Sequence, residues 1–319
     1  MTMQGRELAI AAAVGAPDYL VVYGSRLYGT DTPESDADER GFVIPPFEYL
    51  AGFCRFDQSC SLPGTAAQTH PAECDRIVWS LARFISMLLA GDPQAYEMLF
   101  APDDKVIACS QAGRRVRDAR GLFACMRFHR RIMGYAQSEW RKVRGVTLEP
   151  VCRTRDEETV VEDIRAVFAP GKEEMDEVLR LLFLNHERAE RKATRKLGDK
   201  RKSQIDRFGF CTSSASHSVR LMDELEEMLL HGRLTFPRPN AEWLRAVKKG
   251  QVAFAEVEAE FEAARGRAEA AAGSTSLPDK PRMAEVESLY HSLVAERVLT
   301  DARAAKYALL DRLCAEGRG

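Results

Sequence analysis

The stretch GSRLYGTDTPESDADERGFVI, residues 24–44, constrains this chain more than any other. An apolar, β-rich run, Tyr19–Tyr23, stops at Gly24, and Asp36-Ala-Asp38 follows after a ten-residue spacer from Ser25. A second short apolar run, Gly41–Ile44, ends at Pro45-Pro46. Continuous apolar runs of this length are strands covered on both faces, which suits the centre of a mixed sheet. Side chains alternate along a strand, so an Asp-x-Asp presents both carboxylates on one side. A glycine after a buried strand lets the backbone turn tightly. Backbone N–H groups there, and at the start of a following helix, can cradle phosphates, and the Ser25 hydroxyl adds a donor. One reading is a polar surface loop. The other is a metal-dependent phosphoryl-transfer site, favoured by strand, Gly-Ser, spacer, Asp-x-Asp and strand in that order.

Such a site needs hard divalent metal, Mg²⁺ or Mn²⁺, held by two or three carboxylates. Asp36 and Asp38 supply two. Asp75, opening a third strand Asp75–Trp79, is the candidate third, with Glu73 in reserve. Arg40 is expected to support the aspartates from behind, on the opposite side of the strand. Tyr28 is expected to pack beneath the loop, and Glu97 reads as a helix-surface or capping carboxylate. His217 and Arg220, three apart on one helix face, either face the cleft and contact phosphate or are satisfied in the interior, Arg220 by Asp223 or Glu224.

At 319 residues and net charge −2 the chain has room for about two domains and is no polyelectrolyte. Its eight cysteines form no CxxC and no zinc-finger spacing, which predicts reduced thiols and a cytoplasmic protein. No apolar run approaches a membrane span of ~18 residues. The early segment Glu7–Val14 predicts a short helix rather than a signal peptide.

Strand, loop, strand, strand and helix fill the first third. Helical periodicity dominates after residue 106, where almost no strand signal remains. The expected fold is therefore α+β, a mixed core followed by a largely α-helical C-terminal region. Expected units are 1–105 for the core, 106–235 for a helical region closing the cleft, and 236–319 for a C-terminal helical segment. Residues 235–240 predict a linker. Residues 114–144 predict a basic helix, with ten cations, Arg114 to Arg144, against Asp118 and Glu139. That helix is either a phosphate footprint for RNA or a solvated face whose arginines meet the acidic stretch 155–180.

The residues carry a resemblance. GSRLYGTDTPESDADERG is similar to the nucleotidyltransferase superfamily of DNA polymerase β. More narrowly, it resembles the bacterial and phage branch of predicted nucleotidyltransferases associated with RNA-repair systems. The branch pattern GS-x-x-YG-x-x-x-P-x-SD-x-D-x-RG is met by Gly24, Ser25, Tyr28, Gly29, Pro33, Ser35, Asp36, Asp38, Arg40 and Gly41. The match continues through Asp75–Trp79, Gly91–Pro93, Glu97–Phe100, Gly134–Ala136 and Thr212–Leu221, and it skips 149–180, an expected insertion.

The resemblance implies transfer of a nucleoside monophosphate from an NTP to a hydroxyl, in particular an RNA 3′ end. Asp36, Asp38 and Asp75 would be the catalytic metal ligands. Gly24, Ser25, His217 and Arg220 would bind the nucleotide. The branch usually carries Lys-His where this chain has Ser213-Ser214; Lys202, Arg220 or Arg207 are the candidate replacements. Nucleotidylation of a protein or small molecule, and an inactive nucleotide-sensing or partner-binding scaffold, are the alternatives.

Overall fold

The Tyr19–Tyr23 run is an interior strand, one in from the edge, of a five-stranded sheet. In a computed structural model, residues 14–33, 35–51, 56–59, 74–143 and 199–316 are described. Most of the expected Glu7–Val14 helix, Glu73, the 149–180 insertion and the acidic stretch lie outside the described residues. Strands β1 (Tyr19–Tyr23), β2 (Ala37–Val43), β3 (Gln58–Ser59), β4 (Cys74–Ser80) and β5 (Val106–Cys109) are ordered β3-β4-β2-β1-β5. β2 runs parallel to β4, and the other neighbours are antiparallel. Helices around the sheet, and a helical C-terminal part, make the fold α+β.

Two sequence expectations change here. β2 begins at Ala37, not Gly41, so Asp38 lies inside the strand and Asp36 just before it. The chain also returns to the sheet after residue 105: Val-Ile-Ala-Cys pairs with the free edge of β1. Four residues are too few for periodicity to register, and only the vacant edge makes them a strand.

One sheet face runs from core to cleft. Tyr19, Val21, Phe42 and Trp79 on that face enter the main hydrophobic cluster, where Phe42 stacks on Phe84 at 4.8 Å between centroids. Following β2 back from Phe42 by twos reaches Arg40, then Asp38, at the open end. The other face carries a smaller cluster of Leu20, Val43 and Val78 with Val14 and Phe56.

Helices α1 (Ser25–Tyr28), α2 (Phe47–Ala51), α3 (Leu81–Leu89), α4 (Pro93–Leu99) and α5 (Gln111–Asp118) belong to this front part. Local chemistry starts them. Ser80 accepts a hydrogen bond from the Arg83 N–H, Asp92 from Gln94 with Pro93 at the first helical position, and Ser110 from Gly113. The expected single basic helix over 114–144 is two: α5, and α6 (Met126–Val143), separated by a 3₁₀ turn at Ala119–Leu122.

Then come α7 (Asp199–Phe208), α8 (Thr212–His231), α9 (Ala241–Lys248), α10 (Phe254–Ser274) and α11 (Met283–Glu316). α8 is the pillar, packed between α6 and α10 and buried nearly all round through Ala215, Val219, Met222, Leu225 and Met228. Its partners present stripes at helical spacing, Phe128, Ile132 and Ala136 on α6 and Val257, Phe261, Ala264 and Ala268 on α10. Trp140 closes the contact by stacking on Phe261, 4.0 Å between centroids.

Residues 235–240 are docked rather than a loose linker. Phe236 is buried against Tyr28, the Arg238 N–H donates to the Tyr28 carbonyl at 3.0 Å, and a Cβ at Gly29 would meet Pro237 Cβ at 2.7 Å. The C-terminal helical segment ends in one long helix, α11. Among the described residues, no helix is long and apolar enough to cross a membrane.

Candidate functional site

β1 ends in the Gly-Ser turn, and the turn abuts a carboxylate. Gly24 has φ +65°, and a Cβ there would lie 2.2 Å from Asp38 Oδ2. A side chain would be both strained and in collision, so glycine lets turn and carboxylate touch. The Gly24 carbonyl then accepts from the N–H of Leu27 at 3.0 Å and of Tyr28 at 3.1 Å, folding the next residues into α1. The sheet register aligns Tyr23 with Asp38 and Asp38 with Asp75.

Two cavities meet at this turn. The larger, about 520 Å³, is lined by Ser25, Asp36, Asp38, Gln204, Lys248 and Lys249, among others. The smaller, about 340 Å³, takes in Ser25, Tyr135, Ser213, His217, Arg220 and Lys248. Asp36 and Asp38 thus come together on one wall, with Ser25 beside them. Asp75 lines neither cavity: its side chain is 62% exposed and pairs with Arg40 at 3.0 Å, and the same Arg40 nitrogen stands 3.8 Å from Asp38.

Arg40 therefore shares the aspartates' side of the strand instead of bracing them from behind. Positions 36, 38 and 40 are two apart, and period two puts them on one face. Glu39 takes the other face and pairs with Arg76 at 2.6 Å.

Burial raises the Asp38 carboxyl above its usual range. Arg40 opposes the rise, and the charges of Asp75 and Asp36 add to it. Such a like-charged group is relieved by a cation. Among the described residues no group of three or more His, Cys, Asp or Glu is arranged to hold a metal. Two carboxylates suit Mg²⁺ nonetheless, because that ion keeps several waters and binds through one or two carboxylates plus substrate phosphates.

Behind the turn sits a second charged cluster that sequence reasoning missed. Glu97, expected at a helix surface, is buried. Its Oε2 accepts from the hydroxyls of both Tyr23 and Tyr28, the latter at 2.6 Å, and its Oε1 accepts from Arg220 at 2.7 Å. The two tyrosines flank Gly24-Ser25, so one carboxylate oxygen fixes both ends of the turn. Arg220 also pairs with Glu224 at 2.5 Å, and its guanidinium lies 3.7 Å above the centre of the Tyr28 ring.

Burial alone would raise the Glu97 carboxyl. The charge and hydrogen bond of Arg220, with the two tyrosine hydroxyls, hold it below the usual range. Burial pushes the Glu224 carboxyl up, and the Arg220 charge opposes the rise.

His217 extends the cluster toward the smaller cavity. Arg220 donates to its Nδ1 at 2.9 Å, which leaves the ring proton on Nε2. Burial, then the Arg220 charge, lower its pKa to about 3. Of the candidate lysine replacements, Lys202 and Arg207 are exposed on α7 and line neither cavity, while Arg220 lines the smaller one inside its ion pairs. Ser213 is held by Gln204, whose Oε1 accepts from its N–H at 3.1 Å and whose Nε2 donates to its hydroxyl at 2.7 Å.

Part of the basic stretch is committed within the protein. Arg115 pairs with Glu296 at 2.6 Å, Arg117 with Asp103 at 2.6 Å, and Lys142 with Glu139. Arg127, Arg130, Arg131 and Arg141 are exposed on α6, whose Tyr135 and Glu139 border the smaller cavity.

Lys248, Lys249 and Gln204 carry no signal in the sequence, and Tyr135 stands there only within the matching Gly134–Ala136 stretch. They lie in ordinary charged helices, and only the tertiary fold brings them to Ser25.

Comparison with known proteins identifies the family. A family described as "RNA repair pathway DNA polymerase beta family" (RlaP) matches residues 18–314. The chain is also 29% identical over 145 residues to an uncharacterized 38.9 kDa protein of the nrdC–mobD intergenic region of Enterobacteria phage T4. That match covers 44% of this chain and 43% of the phage protein, so the chain spans less than half the length of that relative. No solved structure matches. With a sheet, a Gly-Ser turn and paired aspartates in place, and a family match running nearly end to end, the chain belongs to the RNA repair pathway DNA polymerase beta family.

Proposed function

We propose that this protein is a metal-dependent nucleotidyltransferase that moves a nucleoside monophosphate from an NTP to an acceptor hydroxyl, with an RNA 3′ end as the acceptor. The observation that carries the reading is the contact of the Gly24-Ser25 turn with Asp38, on a cavity that also holds Asp36. Asp36 and Asp38 would hold Mg²⁺ or Mn²⁺. Bound there, the metal neutralises phosphate oxygens and lowers the pKa of the attacking hydroxyl.

Ser25 donates to a phosphate oxygen. The acceptor oxygen bonds to the α-phosphorus in line, the bond from that phosphorus to the bridging oxygen breaks, and pyrophosphate leaves. Solvent takes the hydroxyl proton, since Asp75 stands outside both cavities in its pair with Arg40. Arg220 and His217 contribute by position: Arg220 locks the turn through Glu97, and neutral His217 offers its Nε2–H to the cleft.

RNA as acceptor is supported by the family description and by the exposed arginines of α6. The test uses purified protein, labelled NTPs with Mg²⁺ or Mn²⁺, and RNAs with 3′-hydroxyl ends. Label should enter RNA with wild type and not with the Asp36→Ala/Asp38→Ala double variant. Label on the protein itself would move the reading to protein nucleotidylation. No incorporation with any NTP would leave the scaffold reading in its place.

A further inference from the structure

The basic stretch divides into committed and uncommitted charge. Arg115, Arg117 and Lys142 pair with carboxylates of this chain. Arg127, Arg130 and Arg131, early in α6, are exposed and pair with no carboxylate among the described residues. Helix spacing sorts these three. Arg127, Arg131 and Tyr135 follow at i, i+4 and i+8, one line along the helix over about 12 Å. Arg130 stands off that line, beside His129, a ring that also feels the charge of Glu269 on α10.

The corner between α3 and α4 adds a third cation to the line. Gly91 turns that corner with φ +75°, and a Cβ there would lie 2.7 Å from the Arg127 carbonyl oxygen, so glycine lets the corner close on α6. Arg127 donates to the Leu89 carbonyl at 3.1 Å, which fixes its guanidinium without neutralising it. Arg83, exposed on α3, and Arg131 both lie near enough to Asp92 for their charges to lower its pKa. The Asp92 carboxylate already accepts from the Gln94 N–H at 3.0 Å. Three guanidinium groups thus surround one carboxylate that caps a helix.

Tyr135 ends the line. It is 39% exposed, packs edge-to-face with His217 at 5.5 Å between centroids, and borders the smaller cavity. That cavity shares Ser25 with the one holding Asp36 and Asp38. Unneutralised cations leading to an exposed aromatic ring suit single-stranded nucleic acid: guanidinium groups follow the phosphates, and the ring stacks on a base.

We propose that Arg83, Arg127 and Arg131 form a track for the backbone of single-stranded RNA, and that Tyr135 stacks its 3′-terminal base, bringing the 3′ hydroxyl toward the Ser25 shared by both cavities. The proposal rests on the RNA-acceptor reading above and adds to it the path of the strand, its polarity and the platform for its last base. It calls for an unpaired 3′ end, because a base inside a duplex is already stacked on its neighbours.

The test is fluorescence anisotropy of a short labelled single-stranded RNA titrated with the full chain, without NTP, over a series of KCl concentrations. For wild type, log affinity should fall against log salt with a slope near −2, about three phosphate contacts on a single strand at ~0.7 each. Arg131→Ala should make that slope shallower by ~0.7, and Arg131→Lys should restore it. Tyr135→Ala should leave the slope unchanged and weaken binding about fivefold to a hundredfold, and Tyr135→Phe should keep the affinity. Arg115→Ala, at an arginine already paired with Glu296, should change neither. A fluorescent adenine analogue at the 3′ end should be quenched by wild type and not by Tyr135→Ala, and the same analogue at the 5′ end should not respond. Urea midpoints establish that each variant folds.

An unchanged slope in Arg131→Ala overturns the track. Unchanged affinity in Tyr135→Ala, or a quench at the 5′ end, overturns the platform and the polarity. If wild type binds no RNA, the whole proposal is overturned, and labelled-NTP transfer decides the rest: label on a protein or small molecule keeps nucleotidyl transfer with another acceptor, and no label removes both. Binding as expected with no transfer keeps the track and removes the transfer reading.

Discussion

Two arginines in this protein each stand between two carboxylates, and their surroundings are opposite. Arg40 bridges Asp75 and Asp38 at 3.0 and 3.8 Å, with Asp75 62% exposed. Arg220 bridges Glu97 and Glu224 at 2.7 and 2.5 Å, with all three side chains at most 4% exposed. Water screens the first trio, and such pairs contribute ~0–1 kcal/mol. The second has no water to fall back on, so removing one partner strands a buried charge. The lesson is that the same three groups make an exchangeable site at the surface and a fixed joint in the interior. On the proposed function the open trio borders the cation site, and the closed one holds the turn beside it.

The contrast breaks first on activity. Asp36→Ala/Asp38→Ala should lower nucleotidyl transfer by ~10³-fold or more, since metal neutralisation of phosphate charge is worth several kcal/mol. The same double variant should keep its urea midpoint, because Asp38 is already strained by burial and by its acidic neighbours. A large loss of stability would show that these aspartates are structural. Chelation of divalent metal should match the double variant in the transfer assay.

Next comes Glu97→Gln. Arg220 would keep Glu224 as its one carboxylate partner and lose the charge-assisted bond to Glu97, and urea denaturation should show a loss of about 1–3 kcal/mol. A loss below about 1 kcal/mol would make Glu97 as exchangeable as Asp75.

A third test reads His217 by pH. Its folded pKa, near 3, lies below the ordinary 6.5, so the unfolded chain binds the extra proton between those values. Its contribution is fully present above about pH 6.5 and is lost as pH falls toward 3, at up to ~1.4 kcal/mol per pH unit. Denaturation at a series of pH values should show a shallower acid limb in His217→Asn. An unchanged limb would mean that the imidazole is solvated.

The smallest effect belongs to the surface. Arg115→Ala, which breaks the pair with Glu296, should cost at most ~1 kcal/mol in urea and leave transfer unaltered. A larger cost would mean that α11 is clamped to α5 more tightly than one exposed ion pair explains.

The open trio was largely legible in the sequence and the closed one was not. Asp36, Asp38 and Gly24-Ser25 lie within one short segment, where strand alternation and a glycine turn carry the geometry. Arg40 was legible too, since it follows the aspartates by two, and the expectation that it pointed away ran against that period. Glu97 meets Tyr23, Tyr28 and Arg220 across 74, 69 and 123 residues, and no local pattern reports contacts of that separation. Helix periodicity marks Glu97 as a polar position and says nothing of what covers it. Lys248 reaches Ser25 only because α9 docks on α8, which is likewise invisible in a window of sequence.

Both tyrosines ending on one Glu97 oxygen, with Arg220 on the other, have a mechanical consequence. The floor of the cleft and the pillar helix α8 are riveted at a single point, so the Ser25 turn moves with α8 or not at all. α9 is tied to the same body, through Thr212 to the Lys248 carbonyl, Ser216 to the Leu244 carbonyl and Arg245 to the Gly29 carbonyl, so opening and closing around a substrate would fall to α7, joined to α8 through Gln204 and Ser213. The protein has one jaw set in the vice and one that is left to travel.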